Sequence, residues 1–313
     1  MITKPMLAGT VHAADLANVT WPIMASPKLD GIRCIVHPSQ GIVTRSFKPV
    51  PNVHIREALR GIIPDDWGLD GELFAVGKDG KTPMDFNATQ SAVMSRSGQP
   101  QFMFAVFDCF NFPNESFLTR FNAAQHYVKL MSHASIKVVA HQFVHNAEEF
   151  AEYAAYCIKQ GYEGAMLRDP NGPYKNGRST LKQQWLLKYK EWCDAEGIVV
   201  GFEERMHNSN EDVKDNFGYA KRSSHKENMV PMGTLGALIL DTDWGELSVG
   251  SGLDDTARQI IWNRNMVMKM SDTEWIVRGP QPDMGRKVTF KYQPFGMQDK
   301  PRFPIFKGFR EEE

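Results

Sequence analysis

Charged residues recur inside otherwise apolar, strand-like segments of this chain of 313 residues. Residues 69–73 read Leu-Asp-Gly-Glu-Leu, residues 162–168 read Tyr-Glu-Gly-Ala-Met-Leu-Arg, and residues 185–190 read Trp-Leu-Leu-Lys-Tyr-Lys. A charge on a buried strand is costly unless it is paired or bound to a ligand. One such segment predicts only a solvated strand face or a structural ion pair. Several of them in one chain predict a sheet that collects its charges at a common site.

A fourth charged segment, Ser-Pro-Lys-Leu-Asp-Gly-Ile-Arg, covers residues 26–33. The strand predicted at Trp21–Lys28 ends at its lysine and a tight turn follows, so alternation should aim Lys28 and Asp30 to the same side. A lysine amine is a good nucleophile only when it is unprotonated, which requires nearby positive charge or desolvation. By itself this segment is equally consistent with a hairpin exposed to water, because short motifs match by chance.

Taken together, the four segments predict a nucleotide site. Glu72 and Glu163 each interrupt an apolar strand, while Lys188 and Lys190 lie two apart on another strand and so project from one face. These lysines and Lys28 would neutralise phosphate oxygens, and the acids would hold a metal ion or ribose hydroxyls. The set therefore favours binding of a triphosphate with its magnesium.

Strands and helices alternate in the first part of the chain, as hydrophobic periodicity and turn signals indicate. The predicted strands are Trp21–Lys28, Ile32–His37, Ile42–Arg45, Gly68–Val76, Phe102–Phe110, Gly164–Arg168 and Gln184–Lys190. The predicted helices are a short stretch at His12–Val19, Asn52–Arg60, Glu115–Ser132, and Ala147–Gln160 with Asn146 as its cap.

After residue 190 short strands dominate. The predicted strands are Gly197–Glu203, Gly233–Leu240, Leu247–Gly250 and Lys287–Tyr292, with one helix at Asp254–Met270. This pattern over about 120 residues is typical of a small Greek-key barrel such as the OB-fold. We place a hinge near Glu191–Asp194 and two domains at 1–191 and 192–313.

Composition narrows the class of protein. The 36 basic and 37 acidic residues nearly cancel, so nucleic acid would have to be bound through a segregated basic patch. The four cysteines form no Cys-x-x-Cys pair, which argues against a zinc ribbon or a disulfide framework and indicates a reducing cytoplasm. The N-terminus lacks the layout of a signal peptide, and no apolar run approaches the roughly 20 residues that cross a bilayer. We expect a soluble cytoplasmic protein.

The ordered motifs resemble those of the covalent nucleotidyltransferase superfamily, and within it the small ATP-dependent DNA ligases of phage and bacteria. Residues 28–33 match the K-x-D-G-x-R motif, whose lysine forms a lysyl-AMP intermediate in that family. The resemblance implies that catalysis depends on Lys28, Asp30, Lys188 and Lys190. It implies that the nucleotide is bound by Ser26, Lys28, Arg33, Arg45, Glu72, Phe107, Lys188, Lys190 and Arg302. It further implies metal binding by Glu163 and Glu72, and DNA contact by Arg45.

Individual roles also follow from the resemblance. Phe107 would stack on adenine, Glu72 would bind the ribose, and the K-x-K lysines would contact the α-phosphate. Arg302 lies in a loosely matching last motif, in which an arginine orients the β- and γ-phosphates; Lys307 and Arg310 are alternatives for that role. Many relatives carry a glutamate two positions before the lysine, but this chain has Ser26, whose backbone would read adenine.

The family's fold and reaction come with the resemblance. The implied fold is α+β, a nucleotidyltransferase (adenylation) domain of antiparallel sheets with flanking helices, followed by a C-terminal OB-fold β-barrel. The implied cofactors are ATP, whose AMP is carried on Lys28, and Mg²⁺. The AMP would pass to the 5′-phosphate of nicked double-stranded DNA, and the neighbouring 3′-hydroxyl would then displace it. A monomer acting in DNA replication, repair or recombination is expected, in the host cytoplasm if a phage encodes it.

A predicted loop, Glu204–Met232, is a candidate grip on DNA. Its basic residues are interleaved with aromatic ones, which suits phosphate contact and stacking, and Lys221 and Arg222 are the expected contacts. An ordinary solvated loop explains the same residues equally well.

Other functions and sites remain open on sequence alone. A messenger RNA capping enzyme that uses GTP, an RNA ligase, and a catalytically silent nucleic-acid-binding relative share parts of the pattern. NAD-dependent ligases carry a four-cysteine zinc module that is absent here.

Residues 80–82, Gly-Lys-Thr, resemble the end of a phosphate-binding loop but are interpreted as a hairpin turn. Four histidines are interpreted as surface residues rather than metal ligands: His126, His133, His141 and His145.

Overall fold

The computed structural model describes residues 2–214, 220–222, 228–266, 268–269, 275–276, 281–294 and 299–310. For residues 212–214, 220–222, 268–269 and 275–276 it describes the backbone alone. The chain divides into two units, Met1–Lys190 and Glu191–Glu313. Within the described residues, no helix is both long enough and apolar enough to span a bilayer.

The first unit combines strands with four α-helices. Its strands are β1 (Met6–Leu7), β2 (Gly9–Val11), β3 (Ile23–Lys28), β4 (Ile32–His37), β5 (Gly41–Thr44), β6 (Leu69–Ala75), β7 (Phe102–Cys109), β8 (Ile136–Val138), β9 (Gln142–Val144), β10 (Gly164–Arg168), β11 (Gly177–Arg178) and β12 (Leu186–Tyr189). Its described helices are a 3₁₀ helix at Ala13–Asn18, α1 (Val53–Ile62), α2 (Phe86–Met94), α3 (Phe117–Met131) and α4 (Ala147–Lys159).

Two five-stranded sheets organise this unit. One has the order β2-β12-β10-β3-β9 and the other the order β5-β4-β6-β7-β8. The predicted antiparallel pairing holds except at one edge of each sheet, where β2 runs parallel to β12 and β8 runs parallel to β7. The predicted hairpin of β4 and β5 is confirmed. Strands β3 and β4, by contrast, lie in different sheets, so the chain crosses from one sheet to the other at residues 29–31.

Helices cover the sheets with their apolar faces. On α1, Ile55 and Leu59 are one turn apart and join the core beneath β4 and β6. On α4, Phe150 and Ala154 pack against β3 and β10 in the same way. The helices begin after side chains that accept a backbone N–H of the first turn, as helix caps do, and the predicted cap Asn146 is confirmed. These caps are Asn52 for α1, Ser116 for α3 and Asn146 for α4.

The second unit is built around one further sheet. Its elements are β13 (Cys193–Asn208), β14 (Asp212–Lys214), β15 (Ala220–Arg222), β16 (Met229–Thr242), β17 (Gly245–Val249), α5 (Asp255–Asn265), β18 (Met268–Lys269), β19 (Trp275–Ile276), β20 (Lys287–Gln293) and β21 (Arg302–Phe309). The sheet order is β17-β16-β13-β20-β21. The residues just after β17 pair with β21 at the opposite edge of the sheet, through a parallel bridge between Ser251 and Ile305. The sheet therefore curls into a barrel, and α5 packs on its core.

Several predicted boundaries were wrong in this unit. Strands β13 and β16 stay paired out to Asn208 and Met229, so much of the predicted loop Glu204–Met232 is strand. Cross-strand pairing sustains these extensions although none of their side chains is fully buried, so they lack the alternation of buried and exposed residues by which a half-buried strand is predicted. Helix α5 ends at Asn265 instead of Met270.

In the first unit, helix α2 was not predicted, because it is short and buries only Thr89 and Val93. The turn at Gly80 does belong to a hairpin, as predicted, since the Gly77 N–H donates to the Thr82 carbonyl at 2.9 Å.

Candidate active site

A cavity of about 240 Å³ in the first unit is lined by residues of both sheets. From one sheet, strands β3, β10 and β12 each contribute a pair of residues that are two apart and so share a face of the strand, and β3 also contributes Pro27. These pairs are Ser26 with Lys28, Met166 with Arg168, and Leu186 with Lys188. From the other sheet come Arg33, Glu72 and Phe107, and Arg45 follows its edge strand β5. Seven predicted nucleotide-binding residues therefore line one cavity.

Lys28 forms an ion pair with Glu163 on the neighbouring strand segment. One carboxylate oxygen of Glu163 accepts from Nζ of Lys28 and the other pairs with Nζ of Lys190. Only 8% of the Glu163 side chain is exposed. Burial raises the pKa of this carboxyl, but the charges and hydrogen bonds of the two lysines outweigh burial and hold the pKa below its ordinary value. The predicted metal ligand is thus an anion that holds both lysines.

Gly164 explains how Glu163 reaches this position. Its φ is 154°, and a Cβ at this residue would lie 2.2 Å from the carbonyl oxygen of Tyr189. Only glycine permits β10 to approach β12 so closely here. The Glu163 N–H also donates to the Lys28 carbonyl at 3.1 Å, which continues the pairing of β3 with β10. The Glu-Gly dipeptide therefore brings the carboxylate against both lysines.

Positive charge is concentrated around Lys188. Burial, and then the charges of Lys190, Lys28 and Arg178, lower the pKa of Lys188, while Glu163 acts weakly in the opposite direction. Arg178 also lines the cavity. Cations crowded in this way repel one another, and a bound polyanion such as a phosphate chain relieves that repulsion.

On the opposite wall, Arg33 is held by a buried carboxylate. Its Nε and Nη2 donate to the two oxygens of Asp70 at 2.5 Å each, and Nη2 also donates to the Met6 carbonyl at 3.0 Å. The hydroxyl of Tyr174 donates to Asp70 at 2.6 Å. The guanidinium carbon lies 4.6 Å from the centre of the Phe107 ring. Arg33 is therefore fixed against the aromatic ring that the family pattern assigns to the base.

Glu72 lies beside Arg33 on the same wall. Burial raises its pKa to about 7, although the charges of Arg33 and Lys28 act in the opposite direction. A carboxyl of this kind titrates near neutral pH. It can accept a hydrogen bond from a ribose hydroxyl in its ionised form.

Not every predicted site residue is among those that line this cavity. Strand β3 ends at Lys28, so alternation does not extend to Asp30, which lies in the crossover and does not contribute to the lining. The strand alternation on which the shared face of Lys28 and Asp30 was predicted therefore stops before Asp30, although the charge of Asp30 still acts on Glu72. Arg302 begins β21 in the second unit, with its guanidinium carbon 5.1 Å from the Phe303 ring. Lys221 and Arg222 lie on β15, and their side chains are outside the described part of the structure.

Across the described ranges, no group of three or more His, Cys, Asp or Glu side chains is arranged to hold a metal ion. Of the two predicted metal residues, Glu163 is paired with Lys28 and Lys190, whereas Glu72 is influenced by the charges of Arg33 and Lys28. A metal ion here would need ligands from the nucleotide as well.

Sequence reasoning missed His141, and its interpretation as a surface residue was wrong. The half-buried ring lines the cavity and lies 5.3 Å from the Phe117 ring and 4.5 Å from the Phe121 ring. Its Nδ1 is 2.9 Å from the Val139 carbonyl oxygen. Burial lowers its pKa to about 4. Nothing local in the sequence distinguishes this histidine from the three others, because its position depends on the pairing of β9 with β3.

A second missed feature is a buried ion cluster next to the cavity. Asp108 is completely buried and accepts from Arg120, at 3.0 Å from Nε and 3.2 Å from Nη2. It also forms an ion pair with Arg168, which lines the cavity. The residues come from β7, α3 and β10, so one carboxylate joins three elements.

Comparison with known proteins agrees with this geometry. The family model described as ATP dependent DNA ligase domain matches residues 5–190, and the one described as DNA ligase OB-like domain matches residues 228–310. A DNA ligase of African swine fever virus is 32% identical over 138 residues, which are 43% of this chain and 31% of that protein. The chain thus spans about a third of the length of this relative.

Solved structures are similar over nearly the whole chain. The crystal structure of a chlorella virus DNA ligase-adenylate is 28% identical with a TM-score of 0.54, and the match covers 99% of this chain and 100% of that one. A structure of a Lig E DNA ligase has a TM-score of 0.68 at 23% identity, with 99% and 100% covered, a likeness that shows the fold alone.

Fold and site together define a nucleotidyltransferase domain followed by an OB-like domain, which confirms the predicted fold class. The first family model alone matches more than half of the sequence. The chain belongs to the ATP-dependent DNA ligase family. The resemblance stated from the ordered motifs is therefore confirmed.

Proposed function

We propose that this protein is an ATP-dependent DNA ligase that seals nicks between a 3′-hydroxyl and a 5′-phosphate, with Lys28 as the residue that carries AMP. One observation supports this most strongly: Lys28 lies in a cavity that also contains Glu72, Phe107 and Lys188. These residues supply acceptors for a ribose, an aromatic face for a base and a cation for a phosphate.

The first transfer attaches AMP to the protein. Nζ of Lys28 attacks the α-phosphorus, a bond forms between nitrogen and phosphorus, and pyrophosphate leaves. Before this attack the amine must lose a proton and separate from Glu163. The phosphates would compete for Lys188 and Lys190, and that competition would loosen the ion pairs of Glu163.

Magnesium fits this arrangement. Mg²⁺ commonly takes only one or two carboxylates from a protein and completes its octahedron with waters and substrate phosphates. Glu163 is the residue proposed to hold it, with Glu72 as the second carboxylate of the predicted pair. When bound, the ion would neutralise charge on the phosphate chain.

The later transfers use the same cavity. AMP passes from Lys28 to the 5′-phosphate of the nick, and the 3′-hydroxyl then attacks that phosphate and releases AMP. Arg45, exposed at the cavity edge, is proposed to contact the nick phosphate. Positioning and charge neutralisation account for most of the catalysis in reactions of this type.

The proposal extends to the organisation of the enzyme. Residues 1–191 would carry adenylation and 192–313 the OB-like domain, with reorientation at the hinge near Glu191–Asp194 between steps. Arg302 would assist only the first transfer. We further propose a monomer that acts in the cytoplasm in DNA replication, repair or recombination. All four cysteines are free thiols, which suits a reducing compartment.

The test follows the covalent label. The protein is incubated with radiolabelled ATP, GTP or NAD, denatured, and examined for retained label, and nicked DNA or nicked RNA is then offered. We expect label from ATP alone and sealing of DNA. Label from GTP, or from none of the three, would contradict the proposal.

Lys28→Ala is the critical variant. It should abolish the adduct, since no other amine occupies this position, yet still seal DNA that was adenylated beforehand. Lys159→Ala, exposed at the end of α4, is the matched control and should behave as wild type. Full ATP-driven sealing by Lys28→Ala would refute the assignment.

A further inference from the structure

His141 lies in one row of residues with Ser26 across the sheet that carries Lys28. Strand β9 pairs antiparallel with β3, with Gln142 opposite Ala25, so the next step of this register places His141 beside Ser26. On its other side Ser26 pairs with Met166 on β10. His141, Ser26 and Met166 all line the cavity, and Lys28 lies two residues beyond Ser26 on the same strand.

The ring of His141 has a defined tautomer. Its Nδ1 lies 2.9 Å from the Val139 carbonyl oxygen, which can only accept a hydrogen bond, so Nδ1 carries the proton and donates. In a neutral imidazole the other nitrogen, Nε2, is then an acceptor. Burial lowers the pKa of His141 to about 4, so the ring is neutral at physiological pH.

Nε2 is available to a ligand. No described residue forms a hydrogen bond with it, and it is not among the buried side-chain atoms left without a partner, so Nε2 is accessible to solvent. The rings of Phe117 and Phe121 support the imidazole from the protein side. Because Nδ1 is bonded to the nearby backbone carbonyl of Val139, the opposite edge of the ring, which carries Nε2, is free to face the cavity that His141 lines.

We propose that His141 selects the base of the nucleotide by accepting a hydrogen bond at Nε2 from the 6-amino group of adenine. This inference rests on the proposed use of ATP and assigns the residue that discriminates between purines. Guanine and hypoxanthine carry a carbonyl oxygen at the same position, and two acceptors facing each other repel. The hydroxyl of Ser26 can donate as readily as accept, so it cannot make this distinction alone.

The first experiment uses the unaltered protein and three triphosphates. Formation of the covalent nucleotide adduct is measured against the concentration of ATP, of purine riboside triphosphate, which has hydrogen at position 6, and of inosine triphosphate. We expect the KM for purine riboside triphosphate to exceed that for ATP by about 3- to 10-fold, the effect of one hydrogen bond. Inosine triphosphate should be worse by on the order of 100-fold, because its 6-carbonyl oxygen would face Nε2 as one acceptor against another.

The second experiment removes the acceptor. His141→Phe keeps a ring against Phe117 and Phe121, and His141→Leu keeps apolar bulk, while both lack Nε2. In either variant the preference for ATP over purine riboside triphosphate should disappear, with the KM for ATP raised about 3- to 10-fold and that for purine riboside triphosphate unchanged. His145→Phe, exposed beyond β9, is the matched control and should keep the wild-type preference. Thermal melting checks that the variants fold.

The outcomes separate this inference from the proposed function. If ATP labels the protein but ATP and purine riboside triphosphate have the same KM, His141 does not read the 6-amino group and the inference fails while the ligase proposal stands. A preference that survives in a folded His141→Phe or His141→Leu also overturns it. If no triphosphate labels the protein, both fail together. Should both variants unfold, the comparison of the three nucleotides on the wild-type protein still decides.

Discussion

At the scale of single residues, neighbouring charges set the state of each group in the cavity. Glu163 is kept ionised by Lys28 and Lys190 despite its burial. Glu72 is different, because burial outweighs the charges of Arg33 and Lys28 and raises its pKa to about 7. Two carboxyl groups in one site therefore differ in protonation near neutral pH, which suits different roles.

Glu72→Gln tests this difference through stability. Because the pKa of Glu72 rises from its ordinary 4.5 to about 7 on folding, the folded protein favours the protonated form, and wild-type stability falls as the pH rises through this window. Glutamine stays neutral throughout. The variant should gain free energy of unfolding relative to wild type between these pH values, reaching on the order of 2 kcal/mol at pH 8. Urea unfolding at pH 4.5 and pH 8 measures it.

Glu57→Gln is the matched control, since Glu57 is exposed on α1 and forms an ion pair with Arg60 one turn further along the helix. It should show no such dependence. A Glu72→Gln protein that is less stable than wild type at pH 8 would show that the carboxylate is well satisfied when ionised. The same variant should form less adduct, because the ribose loses its ionised acceptor.

At the scale of elements, a buried carboxylate ties together parts that are distant in sequence. Asp108 on β7 pairs with Arg120 on α3 and with Arg168 on β10. Arg120 also donates to the Gly172 carbonyl at 3.0 Å, which secures the segment that follows β10. Because β10 carries Met166 and Arg168 into the cavity, this cluster positions one of its walls.

Asp108→Asn should destabilise the protein strongly. Removing the carboxylate charge leaves two buried guanidinium groups without compensation, and breaking a buried pair in this way costs about 3–5 kcal/mol. Denaturant unfolding of the variant measures the loss. Asp65→Asn, at an exposed turn, is the matched control and should be close to neutral. A loss below about 1 kcal/mol for Asp108→Asn would mean that the arginines find other partners.

At the scale of the whole molecule, charge is segregated rather than abundant. The chain carries a formal net charge of -1, yet the cavity of the first unit collects Lys28, Lys188, Arg33, Arg45 and Arg178. Binding to a polyanion therefore depends on local clusters and not on net charge. Outside the nick, the sequence predicts that Lys221 and Arg222 contact the DNA.

Salt dependence tests that prediction. In a double variant, Lys221→Ala with Arg222→Ala, the loss of two phosphate contacts should lower the slope of log affinity for nicked DNA against log salt concentration by about 1.8. Adduct formation should be unaffected, since neither residue is among those assigned to the nucleotide. Lys129→Ala with Lys159→Ala, two exposed lysines of α3 and α4, is the control. An unchanged slope would show that Lys221 and Arg222 do not contact DNA phosphates.

The charged segments on apolar strands contain five of the predicted residues that line the cavity, and the family resemblance of the ordered motifs added Arg45 and Phe107 together with the family and the fold class. The prediction succeeded because residues two apart on a strand project from the same face, so charged residues with this spacing line the same side of the cavity. The Glu163-Gly164 dipeptide was also recognised in the sequence, and the structure explains its glycine by the close approach of two backbones at residue 164.

Tertiary structure alone decided the rest. Lys28 and Arg33 lie on strands of different sheets, Asp30 is left in the crossover, and His141 enters the cavity through the pairing of Gln142 with Ala25. Glu163 and Asp108 likewise meet partners that are distant in sequence. Each of these contacts depends on strand register and on which sheet a strand joins. Both are set by the packing of segments that in some cases lie over a hundred residues apart, so the local sequence carries no periodic pattern that reveals them.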